Sequence, residues 1–362
     1  MIPNWSFMKK YVLQLLLLLT LLNVLNAQEK RDSNKVKVVG LPLFFYSPDT
    51  RFGLGAGGIA TFRTPLSPQA SSVTFSFAYT QRKQLLAWFP YQLYFGKGKY
   101  LTYGEVGWYR YQYQFFGIGN EYADDYLEKY TAQYPRVRFT FLRNLKKGHA
   151  LGLRLALDDV KIVNYDSSGL LLQKSIRGWD GGRSAGAGLV WWRDTRDNRF
   201  YPGKGSYLET SLYLEDQFTG SDFQFSRASL DVGKFFTLGK KTILAVQAMG
   251  TFTLGNDVPF FNLAQLGGPR RLRGYFEGKY RDKHLLLTQA ELRQEGWGRF
   301  GGVLFLGTGA VFGTPEESIK WRPNGGLGIR YQLDKKQKIN LRADYGFGVK
   351  SQGFYLTFGE SF

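Results

Sequence analysis

Hydrophobic and polar residues alternate along most of the chain with a period of two, which is the period of a β-strand. In one segment Tyr109, Tyr111, Tyr113 and Phe115 share one face, and Arg110, Gln112 and Gln114 share the other. Near the end, Ile339, Leu341, Ala343, Tyr345 and Phe347 oppose Asn340, Arg342, Asp344, Gly346 and Gly348. We interpret the apolar face of each strand as lipid-facing and the polar face as lining a wet interior. A soluble β-sandwich also alternates, but its strands are usually shorter.

Short turns and longer connections follow one another along the chain. The short turns are 64–70, 96–99, 144–148, 237–241, 296–299 and 334–338, and the long connections are 116–129, 163–183, 255–283 and 313–320. Bacterial barrels have this asymmetry, with short periplasmic turns and long extracellular loops. The pattern predicts an all-β fold, a transmembrane antiparallel β-barrel of about sixteen strands. An even number of strands places both ends of the barrel in the periplasm.

The N-terminus has the layout of a secretory signal peptide. Lys9 and Lys10 precede an apolar run from Tyr11 to Leu22, and a more polar stretch ends in the small residue Ala27. A transmembrane helix needs about 20 consecutive apolar residues, and this run is interrupted at Asn23. We therefore expect a signal peptide over residues 1–27, a short periplasmic tail over 28–35 and the barrel over 36–362, located in the bacterial outer membrane.

Composition and charge narrow the class of protein further. The chain has no cysteine, 17% aromatic residues and 44 glycines, and no long apolar run follows Leu22. The formal net charge is +19, and removal of Lys9 and Lys10 leaves +17 on the exported chain. In a cytoplasmic protein this charge would suggest nucleic acid, but export argues against such a partner. We expect the basic side chains to line the lumen or to meet outer-membrane lipid and glycolipid phosphates; a diffuse solvated surface is the alternative.

The last segment resembles the terminal-strand signal that barrel-assembly machinery recognises in its clients. Gly353, Leu356, Phe358 and the aromatic Phe362 are the residues that match it. The resemblance implies that this machinery is a partner during insertion. The alternative is a strand that merely happens to be last.

The connection 255–283 is too long for a structureless loop in a compact fold, which indicates function or disorder. It contains Leu272, Arg273, Gly274 and Tyr275. This tetrapeptide resembles the (V/I/L)-R-G-(F/Y) motif in the sixth extracellular loop of the BamA/TamA surface-antigen superfamily. A second segment, 193–205, resembles the periplasmic hairpin of that family through Asp194, Arg196, Asp197, Pro202 and Gly205. Any tight turn rich in Asp, Pro and Gly could look similar, so the two motifs together are the stronger signal.

The resemblance implies that the long loop folds into the barrel lumen, with Arg273 against an acidic or aromatic site on the strands that follow it. A guanidinium in a partly desolvated lumen requires such a partner. The strand motif 305–309 has Gly307 where the family usually has Asp. Glu291 and Asp344 both lie on polar strand faces, so either could replace it, while ordinary solvation in the lumen is the alternative for both.

The resemblance also implies a function in outer-membrane biogenesis or in the translocation of protein or lipid. Relatives with such functions have periplasmic POTRA domains before the barrel, whereas residues 28–35 leave room only for a tail. We therefore expect a periplasmic partner in trans. The competing interpretations are a passive pore or structural barrel, and an accessory subunit of a barrel-assembly complex.

Catalysis and metal binding have little support in the sequence. The chain contains only two histidines, His149 and His284, and no Ser, His and acid grouping is visible. Two distant histidines without cysteine give no metal-ligand spacing. We expect no enzyme activity, no cofactor and no metal.

Overall fold

A computed structural model describes residues 36–47, 51–64, 67, 69–120, 126–166, 168–314 and 319–362. The predicted signal peptide and the predicted periplasmic tail lie outside these residues. Among the described residues, no helix has the length and apolar character needed to cross a membrane.

In the part of the chain that the structure describes, sixteen strands form one antiparallel sheet, and two short strands form a second sheet within the longest loop. The strands are β1 Lys37–Ser47, β2 Arg51–Phe62, β3 Ser71–Thr80, β4 Leu85–Phe95, β5 Tyr100–Phe115, β6 Glu128–Asn144, β7 His149–Tyr165, β8 Gly181–Asp194, β9 Gly205–Glu215, β10 Gln224–Thr237, β11 Thr242–Asp257, β12 Ala264–Leu266, β13 Tyr280–Asp282, β14 His284–Glu295, β15 Phe300–Phe312, β16 Arg322–Asp334, β17 Ile339–Gly348 and β18 Ser351–Phe358. Each barrel strand pairs with the next in the chain, and β11 pairs with β14 because β12 and β13 belong to the loop. The predicted sixteen-stranded antiparallel barrel is confirmed.

Most connections have the predicted asymmetry in length; among the described residues, the exceptions are the short connections 81–84 and 349–350 and the longer hairpin 195–204. Residues 96–99 and 296–299 are tight turns at the end where β1 begins, and longer connections, including 166–180, lie at the opposite end. Strand β11 continues to Asp257, so the first three residues of the predicted connection 255–283 belong to the strand. We call residues 258–283 the lumen loop.

The outer surface of the barrel is apolar over most of its height. On β7, Leu151, Leu153, Leu155 and Leu157 are exposed at every second position. The residues between them face inward, where Arg154 donates to Glu209 and to the Tyr103 hydroxyl. This arrangement is the one expected of strands that meet lipid outside and a polar lumen inside.

The extracellular end of β5 is oriented opposite to the prediction. Tyr109 stacks on Tyr134 inside the barrel, the Tyr113 hydroxyl bonds to that of Tyr134, and Phe115 is fully buried. Consequently Arg110, Gln112 and Gln114 point outward. The inward face is the one whose rings find partners, because Tyr109 and Tyr113 stack on the inward rings of β6. Further along the same face, the Phe115 ring packs edge to face on Phe260 of the lumen loop.

The lumen loop crosses the interior and contacts strands on several sides of the barrel. Arg281 donates to the carbonyl of Gln114 on β5, and Asn262 donates to Ser184 on β8. The Gly274 amide donates to the Tyr355 hydroxyl on β18. The predicted folding of this loop into the lumen is confirmed.

Candidate functional site

The Leu272–Tyr275 motif lies where the lumen loop touches β17. Gly274 has a φ of 107°, and a Cβ there would lie 2.6 Å from the backbone of Phe347. On the facing strand, a Cβ at Gly346 would lie 2.7 Å from the amide nitrogen of Gly274. Both positions require glycine, because the two backbones approach each other without room for a side chain.

Arg273 is fully buried and contacts two carboxylates at once. Its Nη1 donates to Asp344 Oδ2 at 2.6 Å, and its Nη2 donates to Glu291 Oε1 at 2.5 Å. The sequence offered these two acids as alternatives, whereas the structure brings both to the same guanidinium. The Arg273 Cζ also lies 3.6 Å from the centre of the Phe305 ring, so the planar cation meets an aromatic face.

Three further arginines extend this site into a network. Arg293 donates to Glu291, Arg330 donates to Asp344 and Glu360, and Arg342 Nε lies 3.4 Å from Asp344. The arginine side chains are at most 4% exposed. We call Arg273, Arg293, Arg330, Arg342, Glu291, Asp344 and Glu360 the lumen charge network. Buried charges persist only when they are paired and hydrogen-bonded, so each member depends on the others.

Gly307 could not hold the acid that the family usually has there. A Cβ at this position would lie 2.8 Å from Asn324 Oδ1 and 2.9 Å from the Gln289 Cβ. Asn324 uses its amide nitrogen to donate to the carbonyl of Arg273 at 2.6 Å. Glu291 on β14 and Asp344 on β17 thus contact Arg273 in place of an acid on β15.

The other motif residues fix the loop backbone. Leu272 and Tyr275 are fully buried. The Tyr275 hydroxyl donates to the carbonyl of Pro323 at 2.6 Å and accepts from the amide of Val349. The Tyr355 hydroxyl donates to the Tyr275 carbonyl at 3.0 Å. The loop is therefore held to β16, β17 and β18 by hydrogen bonds as well as by charge.

The 195–204 hairpin is a locally braced turn at the periplasmic end of β8 and β9. Asp194 pairs with Arg196 and with Arg199. Asp197 Oδ1 accepts from the amides of Asn198, Gly203 and Lys204. Pro202 is buried, and Gly205 has a φ of 98°. Burial lowers the pKa of Arg199 to about 10, which leaves its guanidinium charged at neutral pH.

The terminal-signal residues separate into two locations. Phe354 is 52% exposed on β18, and alternation places Leu356 and Phe358 on the same outward face. Gly353 lies opposite Gly346 within the β17–β18 pair. The chain then turns at Gly359, with a φ of 78°, and enters the lumen. There the Phe362 ring packs near Phe235, and its carbonyl accepts from Arg293. Phe362 therefore does not share the surface of Phe358.

Both histidines have structural contacts. His149 stacks on Trp191 and accepts from its indole nitrogen at 3.2 Å. His284 Nδ1 accepts from the amide of Thr253 at 3.3 Å. Within the described residues, no group of three or more His, Asp or Glu side chains could hold a metal ion.

Comparison with known structures shows the same fold at low sequence identity. BamA from Haemophilus ducreyi lacking POTRA domains 1–3 is 14% identical, with a TM-score of 0.58, and the match covers 91% of this chain and 71% of that one. CdiB from Escherichia coli is 13% identical, with a TM-score of 0.61 and coverage of 91% and 62%. CdiB from Acinetobacter baumannii is 16% identical, with a TM-score of 0.55 and coverage of 89% and 59%. The chain thus spans about six tenths of the CdiB chains.

Comparison with curated protein sequences finds no match. The Omp85 superfamily domain, in contrast, matches residues 53–362, which is most of the chain. That match begins within β2 and includes the hairpin motif, the loop motif and every strand of the lumen charge network. The protein is therefore a member of the Omp85 superfamily and an outer-membrane β-barrel.

Proposed function

We propose that this barrel acts in outer-membrane biogenesis or in the translocation of protein or lipid. The observation that supports the proposal is the fully buried Arg273, which joins the lumen loop to Glu291 on β14 and Asp344 on β17. A loop fixed across the lumen in this way obstructs free diffusion. It also joins β14 and β17, which are among the last strands of the sheet.

The last strand suggests where a client or lipid would act. β18 has eight residues and is the shortest of the barrel strands described. A short strand contributes few inter-strand hydrogen bonds, so this edge of the sheet separates more readily than the longer strand pairs. In the proposed mechanism the lumen charge network keeps the barrel rigid while this edge opens and thins the membrane locally.

The decisive experiment compares Arg273→Ala with Arg270→Ala, whose exposed side chain provides a matched control. Removal of Arg273 leaves two buried carboxylates without their shared partner. Breaking a buried ion pair costs about 3–5 kcal/mol. We expect a large loss of thermal stability and of complementation for Arg273→Ala and little change for Arg270→Ala. Equal behaviour of the two variants in both assays would contradict the role of the loop.

Conductance and co-purification separate the proposal from its competitors. In planar bilayers, we expect the purified barrel to conduct little, because the lumen loop crosses the lumen. A large, steady conductance of the native protein would instead favour a passive pore. Stable co-purification with a larger barrel-assembly complex would favour an accessory subunit, and capture of one periplasmic protein would identify the partner in trans.

A further inference from the structure

A cavity of about 370 Å³ lies at the periplasmic mouth of the barrel, between the turns that connect β10 to β11, β14 to β15 and β16 to β17. Five cationic residues line it: Lys241, Arg299, Arg330, Lys335 and Lys338. Among the described residues of the lining, Glu295 is the one acid, and Tyr201 forms part of the wall. We call this cavity the periplasmic pocket. Its lining has a clear excess of positive charge.

Arg330 is the buried cation of this lining. Its side chain is 4% exposed; its Nε donates to Glu360, and its Nη1 donates to Asp344. Its Nη2 is buried and has no hydrogen-bond partner among the described residues. Two carboxylates already neutralise Arg330, and Lys338 pairs with Glu295 at 3.6 Å. The positive charge that remains for a ligand comes from Lys241, Arg299 and Lys335.

The charge and size of the pocket define the kind of acceptor. A single carboxylate would be matched by one guanidinium, whereas a phosphate offers several oxygens and more charge to a ring of cations. The volume lies at the lower end of the range for small-molecule sites, which suits a small group rather than a folded partner. We propose that the periplasmic pocket binds a phosphate-bearing group.

The position of the pocket suggests two sources for that group. Trp297, in the 296–299 turn, is 90% exposed, and Phe300 faces outward at the start of β15. Barrels have exposed aromatic side chains at the level of the lipid headgroups. The phosphate therefore comes either from a headgroup of the periplasmic leaflet or from a soluble phosphorylated compound.

The test measures binding of inorganic pyrophosphate to the full barrel in maltoside detergent and a phosphate-free buffer. Lys335→Gln combined with Lys241→Gln removes two cations from the pocket without touching the lumen charge network. Lys336→Gln is the matched control, because Lys336 is exposed in the same turn and is not part of the lining. Heat-modifiability on gels verifies that each variant is folded. Citrate serves as a carboxylate anion of comparable charge.

We expect the double variant to bind pyrophosphate about tenfold more weakly than the native barrel, a loss of roughly 1.4 kcal/mol, and Lys336→Gln to bind it normally. Absence of pyrophosphate binding, equal weakening in the control, or equally strong binding of citrate would each overturn the proposal. Nanodiscs of phosphatidylglycerol or phosphatidylcholine then separate the sources. Loss of pyrophosphate binding in the nanodiscs would assign the phosphate to a lipid headgroup, and retention in both would assign it to a soluble compound.

Discussion

Two regions of the lumen loop are anchored by different physics: the segment around Arg273, which we call the charged end, and the segment around Phe260, which we call the aromatic end. At one end, Arg273 is held by directional, charged hydrogen bonds to Glu291 and Asp344. At the other end, the Phe260 ring meets Phe115 and Tyr130 edge to face, with centroids 5.3 and 5.2 Å away. Apolar packing tolerates changes of shape, whereas a buried charge without its partner is strongly destabilising. The charged end therefore sets the position of the loop, and the aromatic end adds burial.

The largest effect should follow from Glu291→Gln, because Glu291 accepts from both Arg273 and Arg293. Loss of its charge should cost about 3–5 kcal/mol, the range for a broken buried pair. The midpoint of the heat-induced gel shift measures the loss. Glu277→Gln, at an exposed acid of the same loop, is the control. Similar midpoints for the two variants would show that the buried charge of Glu291 does not anchor the loop more strongly than an exposed acid does.

Double-mutant cycles would measure each contact of Arg273 at the charged end separately. Because Arg273 contacts both acids, the cycles with Glu291 and with Asp344 should each be non-additive by about 0.5–3 kcal/mol. A cycle between Arg270 and Glu291 should be additive. If only one acid couples to Arg273 in denaturant unfolding, the second contact adds no stability.

The aromatic end should respond more mildly. Phe260→Leu keeps an apolar side chain of similar size and should cost less than about 1.5 kcal/mol. Phe218→Leu, at an exposed extracellular position, should have almost no effect. A destabilisation by Phe260→Leu as large as that of Glu291→Gln would show that packing, rather than charge, fixes the loop.

The smallest change in stability is expected for substitutions in β5, which test which face of this strand points outward. Because the chain has no cysteine, single cysteines can be labelled without background. Gln112→Cys should react with a membrane-impermeant maleimide on whole cells, and Tyr113→Cys should be protected by the packed rings around it. Faster labelling at position 113 than at 112 would show that Tyr113 faces outward, as the sequence predicted.

The features that the sequence predicted correctly are those with a local pattern in the chain. Strand β17 was predicted as residues 339–348, as observed, because its alternation is continuous and polar turns bound it. The loop motif also identified Arg273 before its surroundings were known. These features depend on neighbouring residues in the chain.

The sequence failed where the answer depends on contacts between distant strands. A period of two separates the faces of β5 without saying which of them is inside. Arg330 and Arg342 were missed because each looks like an ordinary polar position on its own strand, and Glu360 was missed because it follows the last strand. Arg330 and Arg342 are directly opposite in the β16–β17 register, so a correct pairing of those strands would have shown two cations that require acids.

Gly307 limits how this protein could change over time. Asn324 Oδ1 and the Gln289 side chain occupy the space that an aspartate at 307 would need, and Asn324 also holds the Arg273 carbonyl. An Asp at 307 therefore needs a shift of β14, where the Thr288 carbonyl and the Gln289 Cβ lie 2.9 Å from the new Cβ, together with a change at Asn324 on β16. The interchange of Gly and Asp at this position is a coordinated replacement of several residues rather than a single step. Homologues should accordingly fall into two groups, according to which strand supplies the acid.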